Sequence, residues 1–218
     1  MEKFLSPDAK LKDFIKIYEN SVDNDLCDLI LQEYGPDDPD WQQSTIQQPT
    51  GEREHLHSFR KTKEIFISNS TILFKNFETR KYIDDELYKS FGKVVDNYVN
   101  TVSPYFTISH DSGYALLDYS VGCHFKQHVD LLTHPPDAVN GFVPLQSAFP
   151  RRISLSLLLN EDYEGGDLSF FNETYKIPRQ KGTIVLFPSN TLFPHQVAEV
   201  TSGHRYSIIN SNCFEVKR

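Results

Sequence analysis

The chain has 218 residues, of which 39% are apolar, 13% aromatic and 24% charged, with a formal net charge of -8. That composition excludes a disordered or membrane-spanning chain, and an acidic chain is a poor match for a phosphate backbone, so neither a membrane nor nucleic acid is an expected partner. Three cysteines without CxxC spacing, and a start that carries charges instead of an apolar core, point to a cytoplasmic protein with neither a disulfide framework nor a structural zinc.

Residues 14–19 (FIKIYE) alternate as a short strand. Ser21 to Asp25 offers caps for a helix carrying Leu26, Ile30, Leu31 and Tyr34, ended by Gly35. The stretch 36–60 is polar and interrupted by Pro and Gly, and is expected to be a long surface excursion. Its Trp41 reads better as core packing than as an aromatic wall beside a substrate. A second helix is predicted from Leu87, Phe91, Val94, Val95, Tyr98 and Val99, behind the acidic Asp84, Asp85 and Glu86. His55, His57 and His110 fall in loops and carry no functional claim.

From residue 113 the pattern changes to short apolar runs between turn residues: GYALLDYSVG, HFKQHVD, RRISLSLLLN, DLSFFN, YKIP, GTIVLFPS, HQVAEV and HRYSIINSNCFEV. Regularly spaced short strands predict a mainly β fold with flanking α. The expected architecture is a double-stranded β-helix, a jelly roll of the cupin-like kind, with the N-terminal helices packed on one outer face. The whole of 1–218 is read as one domain, with 1–112 as a support of helices and strand and 113–218 as the β-helix core. Ile153, Leu155, Leu157 and Leu159 alternate and are expected in the core. The segment 131–151 contains four prolines and is too long for a hairpin loop, so it is expected to be a lid or an inserted loop.

In HFKQHVD, His128 and Asp130 lie two apart on a predicted strand, so both leave one face while Val129 leaves the other. His195, after GTIVLFPSNTLFP, supplies a second imidazole. Two histidines and one carboxylate can cap a triangular face of an octahedral Fe(II) and leave three positions open, whereas zinc favours four ligands or three with a water. Ten residues after His195 stands Arg205 on the last predicted strand. Arg205 and Ser207 share one face by period 2, and His204 and Tyr206 share the other. A guanidinium beside a hydroxyl, one strand from the metal, suits bidentate capture of a dicarboxylate's far carboxyl group.

The pieces DYSVGCHFKQHVD, SLSLLLNEDYEGGDLSFF and KGTIVLFPSNTLFPHQVAEVTSGHR resemble the prolyl 4-hydroxylase-type branch of the 2-oxoglutarate/Fe(II) oxygenases, and the bacterial PKHD-type hydroxylases most closely. The resemblance runs from Tyr119 to the C-terminus. It implies Fe(II), 2-oxoglutarate and O2 as the requirements of the reaction, with ascorbate as an accessory reductant. It places His128, Asp130 and His195 on the iron ligands, Arg205 on the 2-oxoglutarate C5 carboxylate, and Tyr119 on a co-substrate hydrogen bond. Phe125 stands where many relatives carry tyrosine, and Leu157 where some animal relatives place another; both departures bear on the pocket. The implied activity is hydroxylation of an unactivated C–H bond, first in a peptidyl prolyl residue and alternatively in a small molecule such as a free amino acid. A jelly-roll binding module that has lost turnover is the non-enzyme alternative. The oligomeric state is left open.

Several residues carry a plain reading beside the sharper one. His134 and His204 compete for the third ligand position, but His204 should point away from Arg205. His124 would share the face of His128 on a regular strand, as a hydrogen-bonded core histidine or a substrate-facing one. Arg60, Lys61, Arg151 and Arg152 stand at strand starts, either solvated or on the rim of the site.

Overall fold

The structure, a computed structural model, describes residues 9–47, 53–70, 76–102, 108, 113–130 and 151–214. A 3-10 turn at Leu11–Phe14 leads into β1 (Lys16–Tyr18) and α1 (Asn24–Glu33), followed by β2 (Gln42–Gln43), β3 (Ile46–Gln47), β4 (Arg53–Glu54), β5 (Arg60–Lys61) and β6 (Lys63–Phe66). Then come the short α2 (Ile67–Ser70), the long α3 (Phe77–Val102), β7 (Ala115–Tyr119) and β8 (His124–His128). The remaining elements are β9 (Arg151–Leu158), β10 (Glu164–Gly165), β11 (Leu168–Phe170), β12 (Tyr175–Lys176), β13 (Ile184–Pro188), β14 (His195–Val197), β15 (Val200–Ser202) and β16 (Arg205–Phe214). The expected segment 131–151, apart from Arg151, lies outside the described residues, as do His110 and His134.

The strands form a larger sheet in the order β1, β13, β9, β16, β7, β6, β2 and a smaller one in the order β12, β11, β14, β8, β5. Pairing is antiparallel, and neighbours far apart in sequence alternate across both sheets, which is the double-stranded β-helix. The larger sheet is buried on both faces, so its strands read as nearly continuous apolar runs. Leu116, Ile153, Leu155, Leu157, Ile184, Leu186 and Ile208 pack on one face against α1 and α3. Ala115, Leu117, Tyr119, Leu158, Val185 and Phe187 pack on the other, against Leu168, Phe170, Val197 and Val200 of the smaller sheet and its turns. Period-2 alternation thus divides each strand between a helical layer and an inter-sheet interior.

Helix α3 begins at Phe77, earlier than its acidic triplet suggests, and buries Ile83, Leu87, Phe91, Val94, Tyr98 and Val102 along one stripe. Arg80 extends that stripe: its guanidinium meets Glu33 at 2.8 Å and Asp38 at 2.6 Å, tying α3 to α1 and the following loop. Trp41 packs on this helical side of the core and donates from Nε1 to the Gly35 carbonyl. The described residues of the stretch 36–60 are nearly all exposed or partly exposed, as expected of a surface excursion, but they are not without regular structure. They contribute β2 to the larger sheet and start β5 of the smaller one, and those ladders take up part of their backbone polar groups. No helix among the described residues is long and apolar enough to cross a membrane, which says nothing of membrane β-barrels.

Candidate metal centre

Strand β14 lies between β11 and β8, and its register sets His195 opposite Phe170 on one side and His128 on the other. Cross-strand pairing therefore brings two histidines 67 positions apart in sequence to a ring-centroid distance of 4.3 Å. Asp130 completes the cluster: its Oδ1 lies 3.5 Å from His128 Nε2 and 3.7 Å from His195 Nε2. One ligand atom from each of the three residues falls within 4.8 Å of the others, a spacing that can hold one metal ion.

The orientation of both rings follows from hydrogen-bond chemistry. His128 Nδ1 is 2.8 Å from the Lys126 carbonyl and His195 Nδ1 is 3.1 Å from the Phe193 carbonyl. A carbonyl only accepts, so each Nδ1 carries the proton and each Nε2 presents its lone pair inward. Burial pushes the His195 pKa down to about 4, with Asp130 opposing and His128 adding to the shift, so this ring is neutral near pH 7 and free to ligate. Burial alone would raise the Asp130 carboxyl, but His195, the hydrogen bond and charge of His128, and Arg151 outweigh it and hold the group well below the usual carboxylate range.

Asp130 does not sit on the strand, as its alternation with His128 suggests. β8 ends at His128, and the next two residues leave the sheet, so Val129 lines the cavity beside Asp130 instead of facing away. Other groups replace the missing ladder. Arg151 donates to the Asp130 carbonyl at 3.1 Å, and the Ser154 hydroxyl donates to Asp130 Oδ2. Ser154 Oγ lies 2.7 Å from Ser189 Oγ, so a buried pair of hydroxyls fixes the carboxylate. Neither serine was legible as a site residue; for Ser154 the signal was its alternation with Ser156 between the apolar Ile153, Leu155 and Leu157 of β9. Ser154→Ala is expected to weaken divalent metal binding by about ten- to a hundredfold, measured by metal titration of the folded variant.

A second departure comes from a bulge. His195 pairs with His128, but Val197 pairs with Phe125, so β8 holds one extra residue between the two. A bulge flips the alternation. Phe125 and His128 consequently share the interior face, with rings stacked at 3.5 Å and 14°. His124 is turned away from the cavity, and its two ring nitrogens are buried with no hydrogen-bond partner among the described residues. It is neither substrate-facing nor the hydrogen-bonded core histidine expected.

Arg205 lies opposite Tyr119 in the β16–β7 register, 1% exposed, with its guanidinium carbon 5.2 Å from the Tyr119 ring centroid. Its Nη1 donates to Ser207 Oγ at 2.9 Å, as their shared face requires. Among the described residues no carboxylate pairs with it, and its Nε is buried without a hydrogen-bond partner. An arginine in that state is prepared for an anion that the described residues do not supply. Burial raises the Tyr119 hydroxyl pKa, against the opposing charges of Arg60 and Arg205, so it stays protonated and able to donate. His204 points the other way, as expected, bonding Asp118 at 2.9 Å and stacking on Tyr206.

The turn before β11 shapes the space around this arginine. Gly166 has φ +62°, and a Cβ there would meet Val200 at 3.0 Å and Arg205 Cδ at 3.1 Å. Gly166→Ala is expected to cost about 1–2 kcal/mol from the left-handed backbone alone, read from the urea midpoint.

A single cavity of about 540 Å³ joins these parts. His128, Asp130 and His195 line it together with Tyr119, Arg205 and Ser207. So do Thr45, Ile46, Arg53, Leu56, Phe59 and Arg60, so described residues of the polar stretch 36–60 form a wall of the site. Leu157 does not line it: that residue faces the helices, and the interior positions of β9 are Ser154 and Ser156, so its identity has no bearing on the pocket. Among the four rim candidates, Arg60 and Arg151 line the cavity while Lys61 and Arg152 are exposed outside it.

Comparison with known proteins places this geometry. A family model described as the 2OG-Fe(II) oxygenase superfamily matches residues 114–210. A PKHD-type hydroxylase of Prochlorococcus marinus (strain NATL1A) is 47% identical over 58 residues, 25% of this chain and 25% of that protein, so the match spans about a quarter of the relative's length. Among solved structures, a Pseudomonas putida prolyl-4-hydroxylase superposes with a TM-score of 0.64 at 16% identity, covering 93% of each chain. A Trichoplax adhaerens prolyl hydroxylase in complex with a hypoxia inducible factor oxygen degradation domain peptide gives 0.65 at 16% identity, covering 91% of this chain and 84% of that one. At such identities the structural likeness establishes the fold.

Proposed function

We propose that the chain is a member of the 2OG-Fe(II) oxygenase superfamily, whose family model matches residues 114–210, and that it hydroxylates an unactivated C–H bond while consuming 2-oxoglutarate and O2. His128, Asp130 and His195 hold Fe(II) through two Nε2 atoms and one carboxylate oxygen. Arg205, with Ser207 beside it, receives the C5 carboxylate of 2-oxoglutarate, and Tyr119 lends a hydroxyl to the same co-substrate. One observation carries the reading: a buried guanidinium with no carboxylate partner among the described residues shares a cavity with a cluster of two histidines and one carboxylate. The residues fit the groups, since the donor set is the one non-haem Fe(II) prefers and the arginine fork matches a carboxylate.

When bound, iron and 2-oxoglutarate supply the oxidising chemistry. The chain's own residues supply position and exclusion. The two Nδ1–carbonyl hydrogen bonds fix the imidazoles, and the Ser189–Ser154 pair fixes the carboxylate. Phe125, Leu168, Phe187 and Val197 give the cavity apolar walls that keep water from the reacting bond. Ascorbate as accessory reductant and a cytoplasmic setting belong to the same proposal; the free thiols of Cys27 and Cys123 agree with a reducing compartment.

A prolyl residue in a peptide is the first substrate reading, supported by the names of the proteins this chain resembles. A small-molecule substrate is the second, favoured by a cavity in the size range of small-molecule sites and walled by β3 and β4. The test is anaerobic titration of the protein with Fe(II) and 2-oxoglutarate, following the metal-to-ligand charge-transfer band in the visible. A wild type that forms no band removes the reading. A mass-spectrometric screen for gain of one oxygen atom across peptides and free amino acids then separates the two substrate classes.

A further inference from the structure

The co-substrate reading above, on which this inference rests, requires Arg205 to aim a planar fork at a carboxylate, and the aim of a fork is set by the carbon that carries it. That carbon, Cδ, lies beside the turn between β10 and β11. A Cβ on Gly166 would come within 3.1 Å of Arg205 Cδ and 3.2 Å of Tyr163 Cε2, so the turn, the Tyr163 ring and the stem of Arg205 are packed together. The chain entering β16 meets the same group: a Cβ on Gly203 would lie 2.8 Å from the Asp162 carbonyl oxygen and 3.2 Å from Tyr163 Cα.

Gly165 and Gly166 follow one another with φ +69° and +62°, and glycine moves through that region with little resistance. Backbone bonds fasten the edges of the turn: Gly166 N donates to the Glu199 carbonyl at 3.1 Å, and Ala198 N to the Asp167 carbonyl at 3.0 Å. Its remaining acceptors are gathered by one side chain. Arg179, between β12 and β13, donates from Nη1 to the Tyr163 carbonyl, and from Nη2 to the Gly165 carbonyl and to Asp167 Oδ1, both at 2.9 Å. Its guanidinium carbon lies 4.4 Å from the centroid of the buried Tyr163 ring. A single planar group thus holds acceptors on both sides of Gly166.

We propose that Arg179 is a positioning residue for 2-oxoglutarate: by bracing the turn 163–167 against the stem of Arg205, it fixes the aim of the guanidinium that receives the C5 carboxylate. Without the brace the turn relaxes, and the fork loses its register with a carboxylate that it must meet through two parallel bonds. The effect belongs to the far end of the co-substrate, since neither Arg179 nor residues 163–167 line the cavity that contains His128, Asp130 and His195.

The test uses the full chain loaded anaerobically with Fe(II), with ligands titrated by calorimetry and the charge-transfer band followed for 2-oxoglutarate. Oxalate is the comparison ligand, because it can reach the metal but has no far carboxylate. Arg179→Met is expected to weaken 2-oxoglutarate binding about tenfold and to leave oxalate and Fe(II) affinities within about twofold of wild type. Arg179→Lys, which can still donate to the turn carbonyls, is expected to bring 2-oxoglutarate affinity back to within about threefold. Asp167→Asn, at a partly exposed position, weakens one acceptor of the brace and is expected to cost 2-oxoglutarate about threefold while sparing oxalate. That variant decides the question should Arg179→Met fail to fold, as judged by circular dichroism. Unchanged 2-oxoglutarate affinity in folded Arg179→Met, or in Asp167→Asn in its stead, overturns the proposal, and so does an equal loss of oxalate and 2-oxoglutarate. A wild type without the band overturns instead the Fe(II) and 2-oxoglutarate reading beneath it.

Discussion

Asp130→Ala is expected to abolish the charge-transfer band formed with Fe(II) and 2-oxoglutarate and to lower turnover by more than about a hundredfold, since losing a supporting partner of a ligand already costs up to that much. The carboxylate is the sole anion among the three candidate ligands, and both Nε2 atoms lie within 3.7 Å of its Oδ1. Without it, two neutral imidazoles face a divalent cation in a buried site, with no charge to offset the cost of dehydration. Folding should survive the change. The Ser154 hydroxyl that bonds Asp130 keeps Ser189 as a partner, and Asp130 lies past the end of β8, outside any ladder. His204→Ala is the matched control, because that histidine bonds Asp118 on the far face of β16 and should leave the band intact. A variant Asp130→Ala with wild-type band intensity would show that the metal is held elsewhere.

Arg205→Met separates the co-substrate from the metal. Removal of a buried, charge-assisted pair typically costs 2 kcal/mol or more, so 2-oxoglutarate affinity is expected to fall by about a hundredfold while Fe(II) affinity stays within about twofold. A second readout distinguishes this role from a structural one. The guanidinium is buried against Tyr119 and Ser207 with no carboxylate partner among the described residues, so replacing it by an apolar side chain of similar length should leave thermal stability unchanged or higher. Wild type, in contrast, should gain melting temperature with rising 2-oxoglutarate, as any ligand that binds the native state alone requires, and the variant should lose that gain. Equal 2-oxoglutarate affinity in both proteins would assign the C5 carboxylate to another residue.

Much of the centre was legible before any coordinates. Arg205 and Ser207 share a face and His204 and Tyr206 share the other, because alternation is a property of a single extended strand. The helical rhythm of Leu87, Phe91, Val94 and Tyr98 marked the face of α3 that packs on the larger sheet. Other features needed partners remote in the chain. The bulge that brings Phe125 beside His128 and turns His124 out exists only because β8 pairs with β14 in that register. Alternation sets Ser154 and Ser156 apart from Ile153, Leu155 and Leu157 on β9, but nothing local says that the serine face lines a cavity while the apolar face meets the helices. The polar stretch 36–60 reads as surface because its residues are hydrophilic, and nothing in it shows that Thr45, Ile46, Arg53, Leu56, Phe59 and Arg60 also line the cavity.

By itself, then, the sequence determined the strand and helix periodicities and the β-rich class, which follow from residue chemistry and short-range backbone geometry, and it singled out His128, Asp130, His195, Arg205 and Ser207 as candidates. The tertiary structure decided how that set is supported and what else joins it. Ser154 and Ser189 reach the Asp130 carboxylate from β9 and from the end of β13, and Arg53, Arg60 and Arg151 converge on one cavity from separate strands. Such convergence depends on which strands lie side by side and which face is inside, and no spacing within one segment encodes it.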